Sequence, residues 1–317
     1  MIAQRCLAAA AASVLILASA DIAAQFPERP VRLLVGFPVG GGTDISTRVI
    51  AKSLTELWAK SVVVENKAGA DGSIAAAEIA RTKPDGYNIL VTTTAIAITP
   101  FQQKQSFDPQ TSFEPVTLIG SAQQLVVVHP SLPARSIKQL IALARAKPGA
   151  ITFGSSGTGT VPYLATELFL METGTRMVHV PYKGGGPAVI GILSGETQLL
   201  FTAILPVFPS VKAGRLRAIG ATSPRRHPLL PDVPTLNESG LPGFDTATWY
   251  GAFAPAKTPR EIVAKLNEDF VRAIRSPEVR SNLEGQGYRV EGSSPEELAQ
   301  LVKSDLVKWA KVIRNIK

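Results

Sequence analysis

Three glycine clusters mark where this chain could do chemistry: Gly40-Gly41-Gly42-Thr43-Asp44, Gly154-Ser155-Ser156-Gly157-Thr158-Gly159-Thr160 and Gly184-Gly185-Gly186-Pro187. Each follows a short apolar or β-branched run and precedes residues with helical apolar spacing, so each reads as strand, loop and helix start. The first amide hydrogens of a helix lack intrahelical acceptors, and its peptide dipoles leave positive potential there, which favours an anion. Glycine removes the Cβ and admits positive φ, so a ligand can touch the backbone. The chemistry indicated is capture of a carboxylate, with Phe37 to Asp44 as the first wall.

Other chemistries fit less well. Gly-x-x-x-x-Gly-Lys-Ser/Thr is absent because Lys183 precedes its glycines, and no Gly-x-Gly-x-x-Gly follows the first strand, which argues against a nucleotide. Ser155 and Ser156 are not in a Gly-x-Ser-x-Gly elbow, and an activated serine needs a base. The histidines are His129, His179 and His227; none lies three to five residues from another, and Cys6 is the only cysteine, so no metal site is expected. His179 falls on a strand expected to be buried and reads as a packing histidine. Lys and Arg number 33 against 25 acids, a net charge of +8, yet Arg135, Lys138, Arg145, Lys212, Arg217 and Arg225 are dispersed, so neither nucleic acid nor a membrane surface is indicated.

The elements that position the loops can be read in order. Residues 1–24 form a secretory signal peptide: Arg5 near the start, an apolar run from Leu7 to Ala18, and small residues that allow cleavage after Ala20 or Ala24. No stretch reaches the roughly 18 unbroken apolar residues of a membrane span. Cys6 precedes the apolar run and leaves with the peptide, so the exported protein works without disulfides or thiolates. Val31 to Val35, Val62 to Asn66 and Tyr87 to Thr93 read as strands, with helices after the first two, the pattern of right-handed βαβ units and a parallel sheet. Ligands of such sheets sit beyond the carboxyl ends of the strands, where Gly40 to Asp44, Ala70 to Ser73 and Thr92 to Thr94 all fall.

Phe107 to Val116 reads as a proline-broken connector, and Leu125 to Val128 opens a second lobe. There a helix over Arg135–Lys147, a strand at Ile151–Phe153 and the glycine loop opening on Pro162 repeat the first pattern. Met177 to Val180, Leu199 to Thr202 and Leu216 to Ala221 supply further strands. Ser223 to Phe244, rich in proline, returns the chain, and Trp249 to Pro255 with three closing helices rejoins the first lobe. A length of 317 residues fits about two domains of roughly 150 residues each. The expected fold is α/β, a two-lobed Venus flytrap of mostly parallel sheets flanked by helices with two crossings between lobes: residues 25–122 and 247–317 in lobe 1, 123–246 in lobe 2.

Taken together, Pro30-Val31-Arg32 to Thr43-Asp44, Val64-Glu65-Asn66-Lys67-Ala68-Gly69-Ala70 and Pro84-Asp85-Gly86-Tyr87 are telling. So are His129-Pro130-Ser131, Val180-Pro181-Tyr182-Lys183-Gly184, Leu230-Pro231-Asp232-Val233-Pro234-Thr235 and Trp249-Tyr250-Gly251. With them the chain closely resembles the Bug-type periplasmic substrate-binding proteins of tripartite tricarboxylate transporters. The resemblance implies a non-enzymatic, monomeric periplasmic receptor without cofactor that closes on a small mono-, di-, tri- or aromatic carboxylate and delivers it to membrane permease subunits. It implies a ligand set of Phe37, Gly41, Gly42, Thr43, Asp44, Thr92 and Thr93 on one lobe. Ser155, Ser156, Gly157, Thr160, Tyr182, Phe201 and Thr202 on the other lobe and Trp249 on the return complete it, partly through ordered water.

Several roles stay open. Asp44 either caps its helix or meets the ligand, and the same acid beside an anion site must have its charge used elsewhere. Asp71 could cap, face solvent or meet a cationic group; Lys183 could pair with a carboxylate or stand on the surface; Trp249 and Tyr182 are ligand walls or hinge packing. Where many members of the family carry an aspartate, this chain has Thr202, which favours plain carboxylates over amino acids, whereas Asp71 argues the other way. A sensor signalling to a histidine kinase, and a hydrolase using Ser155 or Ser156, are the alternative functions.

Overall fold

The computed structural model describes residues 26–182 and 184–316. The signal peptide of residues 1–24, with Cys6, and the side chain of Lys183 lie outside the described residues.

The chain begins with β1 (Val31–Val35), α1 (Gly42–Trp58), β2 (Val62–Asn66), α2 (Ser73–Ile79), β3 (Asn88–Thr93), the short α3 (Ala95–Ile98) and β4 (Phe113–Ala122). After Gln123 come β5 (Gln124–Val128), α4 (Ile137–Ala146), β6 (Thr152–Ser155), α5 (Val161–Thr173), β7 (Val178–Pro181), α6 (Gly185–Leu193), β8 (Leu199–Ala203), α7 (Ile204–Lys212) and β9 (Arg217–Ala221). The chain ends with β10 (Thr248–Pro255), α8 (Arg260–Arg275), α9 (Pro277–Gly285), β11 (Tyr288–Val290) and α10 (Pro295–Ile316).

These strands build two sheets, β11-β4-β10-β3-β1-β2 and β7-β6-β8-β5-β9. As the βαβ pattern requires, β1 pairs in parallel with β2 and β3, and β6 with β7 and β8. The expectation of mostly parallel sheets is corrected, because both are mixed. The strand that enters from the other lobe runs against its neighbours: β10 is antiparallel to β3 and β4, and β5 to β8 and β9. A strand arriving from the opposite side of the molecule enters its sheet from the carboxyl edge, so it must point the other way. Read from β2 and from β7, the two sheets share one strand order, with the incoming strand in fourth place.

Alternation along the strands explains the layers. Leu33 and Val35 pack with Ile50, Leu54, Leu266 and Phe270 on one face of the first sheet, while Leu34 packs with Ile79, Leu90, Phe253 and Leu298 on the other. In the second sheet Val126 and Val128 face the Phe153, Phe169 and Phe201 core, and Leu125 and Val127 face Ile192 and Val207. Both faces are covered by helices, which is why the strands read as continuous apolar runs. Two local expectations change. Phe113-Glu114-Pro115-Val116 is the start of β4 rather than a connector; Pro115 stands opposite Phe253 beside a register shift, where a strand tolerates proline. Strand β7 is the sheet edge and only partly buried, so His179 is not sealed in a core.

Helix α10 ties the halves together. Leu298 and Val302 join the core under the first sheet, whereas Trp309, Val312 and Ile313 join the core of the second. Midway, the buried Asp305 accepts a hydrogen bond from Trp249 Nε1 at 2.7 Å and pairs with Lys308.

At the carboxyl edge of the first sheet two loops touch backbone to backbone: a Cβ on Gly36 would stand 2.7 Å from Gly72 Cα and 3.1 Å from its carbonyl oxygen. Gly36→Ala therefore forces the two loops apart, and we expect a loss of about 1–3 kcal/mol in stability, read as a lower urea midpoint.

Candidate functional site

The first wall is built by β1 and α1. Gly41 is the N-cap and offers no side-chain cap, so the amide hydrogens of Gly42, Thr43 and Asp44 have no protein acceptor among the described residues. Helix α1 is anchored beneath them: Thr43 O accepts the hydroxyls of Ser46 and Thr47. A Cβ at Gly42 would come within 2.8 Å of the Tyr288 hydroxyl oxygen, so glycine lets β11 and its tyrosine reach under the helix start. Tyr250 packs on Tyr288 with ring centroids 4.7 Å apart, and burial drives the Tyr250 phenol far above its ordinary range.

Asp44 does not cap the helix. Its carboxylate, 2% exposed, folds back to accept the Gly40 N–H at 2.9 Å and pairs with Arg48 Nε at 2.9 Å. Burial works to raise the Asp44 carboxyl, but Arg48, the Gly40 amide and Asn66 outweigh it and hold it below the usual carboxylate range. The acid's charge is thus spent within the loop, which removes the repulsion it would exert on an anion. Asn66 also fixes the loop by donating to Phe37 O at 3.0 Å.

Thr92, Gly72 and Phe37 meet: a Cβ on Gly72 would lie 3.4 Å from the Phe37 ring and 3.5 Å from Thr92 Oγ1. Thr93 Oγ1 accepts the Ala95 N–H, and Thr94, beside it, accepts the Trp249 N–H. Asp71 precedes Gly72 in a left-handed backbone at φ 51° and ψ 40°. Burial alone raises its carboxyl, with no cation paired to it among the described residues.

The second wall is built by β6 and α5. Ser155 closes the strand, fully buried, with Oγ 2.7 Å from His179 Nε2. Gly157 N–H donates to the same oxygen, Thr160 Oγ1 donates to Gly157 O, and Ser156 Oγ donates to Thr160 Oγ1. The amides of Ser156, Thr158, Gly159 and Val161 have no acceptor among the described residues. The Ser155–His179 distance would suit a nucleophile and base, yet the serine is sealed from substrate and no carboxylate among the described residues bonds the imidazole.

The two walls meet. Gln102 Nε2 donates to Gly159 O at 3.3 Å, and a Cβ on Gly159 would lie 3.1 Å from Gln102 Oε1 and 3.3 Å from Asp71 Oδ2. On the other flank, a Cβ on Gly287 would lie 3.3 Å from Leu205 of α7. Gln102 and Tyr288 were invisible in the sequence: one sits in a polar stretch without periodicity, the other on a three-residue strand.

Some expected residues lie away from these loops. Phe201 is fully buried, its ring 5.7 Å from Phe169, and Trp249 is buried with its indole on Asp305. Thr202, pointing to the opposite face from Phe201, is 7% exposed near the end of β8. Tyr182 lays its ring on Gly154 and its hydroxyl against α6, where a Cβ at Gly191 would be 2.1 Å from it. Among the described residues no cluster of His, Cys, Asp and Glu could hold a metal ion. A cavity of about 130 Å³ behind the crossing strands, lined by Gln123, Asp245, Arg289 and Asp305, touches none of the glycine loops.

Comparison with known proteins places this geometry. A protein from Pseudomonas sp. (strain P51), named for the tcbD-tcbE intergenic region, is 38% identical over 91% of this chain and 86% of its own length. The structure of R. palustris Rpa4515 with adipate superposes with a TM-score of 0.78 at 35% identity, covering 91% of this chain and 97% of that one. MatC (Rpa3494) from Rhodopseudomonas palustris, with bound malate, gives 0.74 at 31%, covering 91% and 100%. Residues 46–317 match the model of the tripartite tricarboxylate transporter family receptor, and the chain belongs to that family.

Proposed function

We propose that this periplasmic receptor captures a small carboxylate, mono-, di-, tri- or aromatic, between its two lobes by hinge closure and hands it to membrane permease subunits of a tripartite tricarboxylate-type transporter. The observation that carries the reading is the pair of opposed, uncapped helix starts. Gly42 to Asp44 on α1 and Ser156, Thr158, Gly159 and Val161 leading into α5 offer amides without protein acceptors among the described residues, on loops brought together through Gln102, Asp71 and Gly159.

A carboxylate has two oxygens and about four lone-pair sites, and taking it out of water is costly unless each is met by a donor. Amides from both walls, with the hydroxyl of Thr43, meet that need, and hydrogen bonds to an ionised acceptor are the strong ones. Adipate and malate in two related structures are both dicarboxylates. The ligand class assigned here is a short plain carboxylate, because Thr202 and the loop hydroxyls supply no anion for an ammonium, and burial raises the Asp71 carboxyl at the Gly159 contact. Hinge bending belongs at the two crossings, Ala122 to Gln124 and Thr246 to Thr248, which divide residues 25–122 and 247–317 from 123–246.

Two measurements test the reading. In a thermal-unfolding panel on the mature chain, one short carboxylate should raise the midpoint, by about 2.7 kcal/mol of stabilisation at a hundredfold excess over Kd, and its diamide should not. Gly159→Leu places a side chain where Gln102 and Asp71 close down, so it should weaken that ligand by about tenfold, as expected if the closed fraction falls to a tenth, while leaving the ligand-free midpoint in place. No shift with any carboxylate in folded protein would sink the anion-site reading and move weight to the sensory or enzymatic alternatives.

A further inference from the structure

His179 was expected to do nothing but pack. Instead its imidazole stacks on Phe153, at 4.8 Å and 22°, and lies tilted against Tyr163, at 4.5 Å and 36°, with Nε2 on Ser155 Oγ at 2.7 Å. The same Oγ accepts the Gly157 amide at 3.2 Å, and Ser155 O accepts the Tyr182 amide at 3.0 Å. Gly157 is held in turn by Thr160, and Thr160 by Ser156. One imidazole therefore anchors the whole hydrogen-bonded chain that shapes the second wall.

A serine hydroxyl has a single proton. While His179 is neutral, Ser155 donates that proton to Nε2 and accepts from Gly157, and both Oγ and Nε2 are satisfied. Once His179 is protonated, Nε2–H donates to Oγ, which then accepts twice and must turn its own proton elsewhere. Ser155 is sealed behind the loop, so a carboxylate seated on the loop amides meets the change through the charge of the imidazolium and through the Gly157 amide held on the same Oγ. We propose that His179 is a positioning residue for the ligand: through Ser155 it sets the donors of the Ser155 to Thr160 loop, and its uptake of a proton tightens carboxylate binding at mildly acidic pH.

The inference rests on the carboxylate reading of that loop. Of the titratable groups, Tyr163 on α5 packs on the ring, Glu167 on the same helix bonds Tyr163, and Tyr182 follows β7. Burial and Glu167 push the Tyr163 phenol up to about 12, and burial raises Tyr182, so both stay neutral. Burial raises Glu167 as well, against the hydrogen bond from Tyr163, which makes Glu167→Gln a necessary control. Burial lowers His179 itself, so its proton uptake without ligand falls below about pH 6.5, the ordinary imidazole value. By linkage, an anion that prefers the protonated form draws that range upward.

The test is calorimetric titration of malate and of adipate between pH 5 and 8. The wild type should bind roughly five- to tenfold more tightly at the acid end than His179→Gln does, after both are matched at pH 7.5, and should take up protons on binding. His179→Gln keeps a hydrogen bond to Ser155 without titrating, so it should bind at pH 7.5 within about threefold of wild type and show only the slope of the ligand's own ionisation. His179→Phe keeps the stack and loses the bond, so it should bind more weakly at every pH with its unfolding midpoint retained. Glu167→Gln should follow the wild-type profile. An unchanged pH slope in His179→Gln, or full affinity in His179→Phe, overturns the role of His179 alone. Absence of binding by every form to either acid overturns the carboxylate reading and this inference with it.

Discussion

A carboxylate leaves water only where fixed donors replace the water it loses, and this requirement organises the molecule. The protein meets it once for itself. Asp44, buried to 2%, is ionised because Gly40, Arg48 and Asn66 surround it. That internal solution preserves the external one. With its charge engaged behind the loop, Asp44 leaves the α1 amides electropositive toward the cleft, and the helix dipole adds to them. An unpaired acid at the same position would cancel what the helix start provides.

Donors on one lobe alone would bind a carboxylate half in solvent, so the fold must bring a second set opposite the first. The repeated strand order accomplishes this. Each sheet presents its glycine loops at the carboxyl edge, and the crossing strands β5 and β10 enter from that edge in reverse. The two edges consequently face one another. Helix α10 adds a constraint that two crossing strands would not: Leu298 and Val302 are fixed to one core and Trp309, Val312 and Ile313 to the other. The proposed closure would therefore be a rotation that this helix can accommodate, with Trp249 and Asp305 at its middle.

The parts of this arrangement that were legible in the sequence are those with local causes. Glycine clusters after apolar runs located all three loop-and-helix starts, and Pro162 and Gly195 fell where a helix begins and ends. Strand direction was not legible, because Leu125 to Val128 and Trp249 to Pro255 look the same whichever way they run. Proline misled at Pro115, since a register shift in β4 absorbs it. The site was legible only as backbone. Side-chain destinations depend on which face a strand turns inward: Phe201 went to the core while its neighbour Thr202 faces the other way, and Trp249 found Asp305, which lies 56 residues further on. The Ser155 and His179 pair joins two parallel strands 24 residues apart, a distance at which no motif in the sequence announces a contact.

Neutral donors also bear on why closure would wait for ligand. A cleft lined by Lys or Arg would carry buried charge whether or not an anion were present, and an ion pair with the wall could hold it shut. Amides and hydroxyls behave differently. In an open cleft water satisfies them, whereas closing around nothing strips that water and leaves each unpaired donor at a cost of roughly 1–3 kcal/mol. On the proposed reading, several such groups on Gly42 to Asp44 and Ser156 to Val161 would make an empty closed state expensive, and one carboxylate would remove the penalty on both walls at once. On that reading the uncapped helix starts, a defect in an ordinary domain, would make the closed form conditional on its cargo.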